Sequence, residues 1–121
     1  MQLNTVREII AIPNRLYKLE NISVFELLQQ TGYFEVFDEI TIENIIDELL
    51  KCPELVQDWI TWSENKRAAS GWYLKVEGEK SCIVGKLSNP LLYNKYDNLI
   101  TASGNFIKME IEDIRRSNYY S

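Results

Sequence analysis

Gly71-Trp72-Tyr73-Leu74-Lys75-Val76-Glu77-Gly78-Glu79-Lys80-Ser81-Cys82-Ile83-Val84-Gly85-Lys86-Leu87 is where the pattern of the chain changes. Upstream, apolar residues recur at helical spacing. Here they alternate, with a period of about 2 residues in place of about 3.6. The two alternating runs, Gly71 to Glu77 and Ser81 to Leu87, flank Gly78-Glu79-Lys80, which reads as the turn of a β-hairpin. Trp72, Leu74 and Val76 are expected on one face, Tyr73, Lys75 and Glu77 on the other. Ser88-Asn89-Pro90 breaks the second strand, and a further short strand or loop leads to Asp97.

Helices are expected on either side. After Asp97, the residues Ile100, Ser103, Ile107, Ile111 and Ile114 form a stripe that predicts the longest helix of the chain. Gly104 inside it costs about 1 kcal/mol relative to alanine, which predicts close packing there against the hairpin. Before the hairpin, Thr5 to Leu19 is helix-like but interrupted at Pro13-Asn14, because proline removes a backbone hydrogen bond and clashes with the preceding turn. Ser23-Val24-Phe25-Glu26 is a capping-box pattern opening a short helix through Leu27 and Leu28 that stops near Gly32. Thr41 is a second N-cap, followed by an expected apolar face of Ile42, Ile45, Ile46, Leu49 and Leu50. Pro53 ends that helix and opens the next, where Leu55, Val56, Trp59, Ile60 and Trp62 continue the period. Two antiparallel helices joined at Cys52-Pro53 are predicted. The order gives an α+β fold: N-terminal helices, a small antiparallel sheet at about 71–87, and a long C-terminal helix packed on it, within one globular domain over residues 1–121.

The apolar and charged fractions, 45% and 26% of 121 residues, are those of an ordinary globular protein, and no apolar run approaches a membrane span. Met1 to Glu8 lacks the basic flank and apolar core of a secretory signal, so the expectation is a cytoplasmic protein with no membrane partner. Two cysteines, Cys52 and Cys82, are then expected to be reduced and core-facing. The chain has no histidine, which removes the commonest general base and the commonest metal ligand. No metal and no cofactor are expected. Gly78 and Gly85 flank a strand and do not make a phosphate loop. Glu64 with Arg67, and Glu110 with Asp113, stand three residues apart and read as surface pairs. The expectation is a protein that is not an enzyme, with a small carboxylate hydrolase as the weakest alternative.

Charge is distributed unevenly. Glu35 to Asp58 carries eight carboxylates against one cation, Lys51, whereas the whole chain is only −5. Ile60 to Tyr96 runs the other way, with six cations and three carboxylates. Helix N-termini account for Asp38, Glu39, Glu43 and Glu54, since the helix dipole favours a carboxylate there by about 0.3–1 kcal/mol. Asp47 does not fit that account, because it follows Glu43 by four residues and the like-charge pair mildly opposes the helix. Glu48 is mid-helix and Asp58 lies beyond the first turn of its helix. Asp47, Glu48 and Asp58, with Glu43 in support, are therefore the candidate partner-binding residues, and the partner they suit is cationic. A patch of Trp59, Trp62, Lys66, Arg67, Trp72 and Tyr73 could stack bases, but the acidic balance argues against nucleic acid, and the tryptophans are expected in the core. The tail Asn118-Tyr119-Tyr120-Ser121 reads either as frayed or as packed on the hairpin or on a partner.

The run Trp62-Ser63-Glu64-Asn65-Lys66-Arg67-Ala68-Ala69-Ser70-Gly71-Trp72-Tyr73-Leu74 resembles small bacterial immunity proteins of polymorphic toxin systems, including contact-dependent growth inhibition. The closing segment Phe106-Ile107-Lys108-Met109-Glu110-Ile111-Glu112-Asp113-Ile114 has a similar look. The resemblance covers the second half of the chain. It implies a cytosolic protein that forms a one-to-one complex with a cognate toxin domain and blocks its active site. Many such toxins are nucleases with basic clefts, and an acidic surface would compete there with the phosphate backbone. The competing expectation is a non-enzymatic adaptor that uses its hairpin edge and keeps its acidic face for solubility.

Overall fold

The computed structural model describes residues 3–18, 22–65, 71–78 and 80–116. Among the described residues, six helices precede the sheet: α1 (Leu3–Ile10), α2 (Ile12–Lys18), α3 (Val24–Gln30), α4 (Tyr33–Val36), α5 (Ile42–Lys51) and α6 (Leu55–Asn65). Three strands follow, β1 (Trp72–Gly78), β2 (Ser81–Lys86) and β3 (Asn89–Tyr96), and then α7 (Leu99–Arg116). The fold is α+β. No helix among the described residues is long and apolar enough to cross a membrane.

The local signals act as their chemistry requires. The first helical segment breaks at Ala11, and Pro13 sits in the first turn of α2, where its missing N–H costs nothing. Ile10, at the break, turns its carbonyl to the indole of Trp59, which donates Nε1–H at 2.9 Å. Ser23 Oγ accepts from Glu26 N at 3.1 Å, but the Glu26 carboxylate meets the Ser23 hydroxyl at 3.4 Å, which makes only half of the expected box. Gly32 follows α3 at φ +85°, a left-handed conformation that glycine adopts without steric cost. Thr41 and Asn44 close a complete capping box on α5, with bonds of 3.1 and 2.9 Å. Asn98 Oδ1 accepts from Thr101 N at 3.0 Å and starts α7.

The sheet is antiparallel in the order β1-β2-β3. Leu74 pairs with Val84 and Val76 with Cys82, so Leu74, Cys82 and Val84 point into the core. Val76 shares the face of Leu74, as the alternation predicts, but β1 is exposed from Lys75 onward and Val76 lies past the end of its buried portion. The segment after Pro90 is a third strand, paired with β2 from Tyr93 to Tyr96 beyond an irregularity at Gly85/Lys86. Ser63 Oγ accepts from Leu74 N at 2.8 Å and donates to Leu74 O at 3.2 Å, fastening α6 to β1.

Helix α7 is the spine. It packs against α3, α5 and α6 and against all three strands, which buries Ala102, Phe106, Ile107 and Ile111 completely. Two expectations are corrected here. Helices α5 and α6 do not form a paired hairpin: α5 packs on α1 and α7, and α6 packs on α2, β1 and α7. Gly104 faces α5 and not the hairpin, since a Cβ there would stand 2.5 Å from Ile46 Cγ1. In both, α5 packs on α7, and the missing side chain at Gly104 leaves room for Ile46 to approach closely.

Candidate partner-binding face

The outer side of α5 begins with the rotation of the helix. Ile45 and Leu49 are fully buried against α1 and α7. Advancing about 100° per residue, Asp47 and Glu43 fall on the far side of the helix, and both are exposed. Leu50, expected on the apolar face, stands about 140° from Ile45 and is 61% exposed, which corrects that assignment.

Glu48 has a different environment. It stands about 60° from Ile45, at the margin of the apolar stripe, and only 3% of it is exposed. Arg7 Nε donates to Glu48 Oε1 at 2.9 Å, and Lys51 Nζ lies 3.4 Å from Oε2. Burial opposes the charge of Glu48, but the Arg7 hydrogen bond and the Lys51 and Arg7 charges outweigh it, so its pKa is lowered. The carboxylate therefore ties α1 to α5 and turns away from solvent. Of the four candidate residues, Glu43 and Asp47 share one exposed helix side, Glu48 lies beneath it, and Asp58 is half-buried on α6 in a separate groove.

A groove of ≈ 380 Å³ runs between α1 and α5, with Leu3 and Val6 on one wall and Asn44, Asp47 and Lys51 on the other, and Glu39 also contributes. Neither Glu43 nor Asp47 has a hydrogen bond or ion pair among the described residues. Lys51, four residues beyond Asp47, is drawn to Glu48. The second groove, of ≈ 490 Å³, lies between α2 and α6 and contains Asp58.

Other polar residues in the structure have internal roles that spacing did not reveal. Glu110, expected in a surface pair, is 1% exposed and accepts the Trp62 indole N–H at 3.0 Å, because α7 is covered on that side by α6. Tyr33 is buried on α4. Its hydroxyl bonds to Glu112 and accepts from Lys108 Nζ at 2.8 Å, while Lys108 also reaches the Phe37 carbonyl at 3.0 Å. Burial, and then the Glu112 carboxylate, push the Tyr33 hydroxyl far up, and burial pulls Lys108 down. Arg115 forks onto Glu112 at 2.9 and 3.0 Å and stacks 3.7 Å from the Phe37 ring centroid. The signal for this cluster is the spacing of Lys108, Glu112 and Arg115 along one side of α7.

Trp59 is in the core, as expected. Trp62 and Trp72 are half-buried, with the Lys86 ammonium 5.5 Å from the Trp72 ring. Lys66, Arg67 and the Tyr119-Tyr120 tail lie outside the described residues. Both cysteines are free thiols, Cys82 in the core and Cys52 half-buried at the end of α5. No family model matches the chain, and no characterised protein or solved structure shows significant similarity to it.

Proposed function

We propose that the protein is an immunity-type inhibitor that neutralises a cognate toxin domain, a nuclease in the first instance, by covering its basic active-site cleft with the acidic outer side of α5. One observation carries this reading. Arg7 and Lys51 are both paired with the buried Glu48, and the exposed Glu43 and Asp47 stand one turn apart with no ion pair among the described residues. A like-charge pair of this kind weakens the helix slightly, and a cationic partner would reverse that cost. The cleft is occluded through charge complementarity and electrostatic steering, and the inhibitor performs no reaction of its own.

The test is the association rate with a purified cognate toxin domain, sought in the reading frames adjacent to the one for this chain. The double variant Glu43→Lys/Asp47→Lys should slow association about tenfold and flatten its dependence on ionic strength, with an unchanged circular dichroism spectrum. Unchanged association kinetics would remove α5 from the interface. Glu48 is left out of this set because its reversal would break the α1–α5 tie.

A second reading, an adaptor that docks through its hairpin edge, is favoured by a different surface. Leu87, Leu91, Leu92 and Tyr93 are 62%, 89%, 46% and 47% exposed around the β2–β3 connection. Binding that ignores salt and the α5 reversal, yet is lost in Leu91→Glu, would select this reading.

A further inference from the structure

The α2–α6 groove brings together residues that no single helix carries. Pro13, Leu16 and Tyr17 come from α2, and Asp58, Thr61 and Trp62 from α6, around ≈ 490 Å³ of mostly apolar space. Asp58 and Trp62 are one helical turn apart and so line the same side of α6. The Trp62 ring is held in place, because its Nε1–H is bonded to the buried Glu110 and the ring rests 5.6 Å from that of Trp59. Tyr17 projects from the opposite wall and is 92% exposed. Among the described residues, Asp58 makes no hydrogen bond or ion pair and no cation lines the groove, so it holds a carboxylate without a counter-charge on a lining whose other polar residues, Asn14 and Thr61, are neutral.

The same molecule shows what completes such a set. Near the end of α7, the Arg115 guanidinium stacks on Phe37 and is forked by Glu112. Guanidinium is planar and weakly hydrated, so it satisfies an aromatic face and a carboxylate at once in a way that ammonium does not. The groove has the aromatic faces and the carboxylate, and lacks the guanidinium.

We propose that the α2–α6 groove receives an arginine side chain presented by the partner protein, with Asp58 accepting the guanidinium N–H groups and Trp62 and Tyr17 flanking its plane. The proposal deepens the inhibitor reading and rests on it for the partner's identity, but the affinity of the groove is measurable without that partner.

The probe is N-acetyl-arginine methylamide, titrated into the full chain while the Trp62 indole N–H resonance is followed by NMR. N-acetyl-citrulline methylamide serves as the uncharged isostere and tetramethylammonium as the cation without a fork. The arginine probe should shift the Trp62 resonance saturably, with a dissociation constant on the order of 1 mM. The citrulline probe and tetramethylammonium should bind at least about tenfold more weakly. Asp58→Asn should weaken the arginine probe about tenfold and Tyr17→Ala about threefold. The proposal is overturned by the absence of a saturable shift, by equal binding of citrulline or tetramethylammonium, or by full affinity in both Asp58→Asn and Tyr17→Ala. The two readings fail separately. Loss of the probe result with slowed toxin association in Glu43→Lys/Asp47→Lys removes the groove alone, whereas the reverse pattern removes α5 from the interface and leaves the groove standing.

Discussion

Ser103 is fully buried on α7, and its Oγ has no hydrogen-bond partner among the described residues. A buried hydroxyl without a partner costs about 1–3 kcal/mol in lost hydration. Ser103→Ala should therefore stabilise the protein by about 1 kcal/mol, raising the calorimetric melting temperature by about 4 °C. Its neighbour Gly104 behaves oppositely. Alanine is the better helix former by about 1 kcal/mol, but its Cβ would meet Ile46 Cγ1 at 2.5 Å, and overpacking of this kind costs about 1–3 kcal/mol. Gly104→Ala should lower stability in urea unfolding, and Ile46→Ala in the same chain should recover part of the loss, giving a non-additive double-mutant cycle. The sequence marks Gly104 as a site of close approach. It does not say which element approaches, because a glycine reports only the absence of a side chain.

Helix α5 shows what periodicity can and cannot say about a charged residue. Its N-cap, its buried Ile45 and Leu49 and its outward Glu43 and Asp47 all follow from spacing and capping chemistry. The place of Glu48 depends on Arg7, forty-one residues away, and on α1 lying across α5. The Glu48 pKa is lowered in the folded protein, so the unfolded chain binds the proton first as pH falls. Its contribution is present above the unfolded value of about 4.3 and is lost as pH drops through the lower folded value. Glu48→Gln should thus destabilise by about 1–3 kcal/mol at pH 7, a range kept modest because Arg7 and Lys51 are 55% and 60% exposed. Urea unfolding at pH 7 and at about pH 3 checks this: the difference from the parent should shrink at the acid end, and an equal difference at both would contradict the pairing. Glu112, also lowered, is present in both proteins and cancels.

For the whole molecule, α7 is the element that every layer shares. Its amides between Ala102 and Ile111 should be the slowest to exchange with deuterated solvent, at rates set by global unfolding, while those of Leu91 and Leu92 exchange orders of magnitude faster through local opening. Protection in α5 or the sheet exceeding that of α7 would refute the spine arrangement. The α+β architecture, the hairpin and the long closing helix are legible in the sequence because the switch from helical to alternating period is a local property. The half-buried α2–α6 groove is not, because its walls come from segments more than forty residues apart and only packing brings Tyr17 beside Trp62.

What the sequence determined by itself is the set of elements and the imbalance of charge: caps, breaks, strand alternation, and eight carboxylates in the segment from Glu35 to Asp58. Only the tertiary structure decided which of those carboxylates are available to a partner. Among the four candidates, Glu48 is neutralised from α1, Glu43 and Asp47 remain outward, and Asp58 faces aromatic residues in a groove of its own. The reason is physical. Helical period sets the direction of a side chain about its own axis, whereas burial and counter-charge depend on what packs against that side.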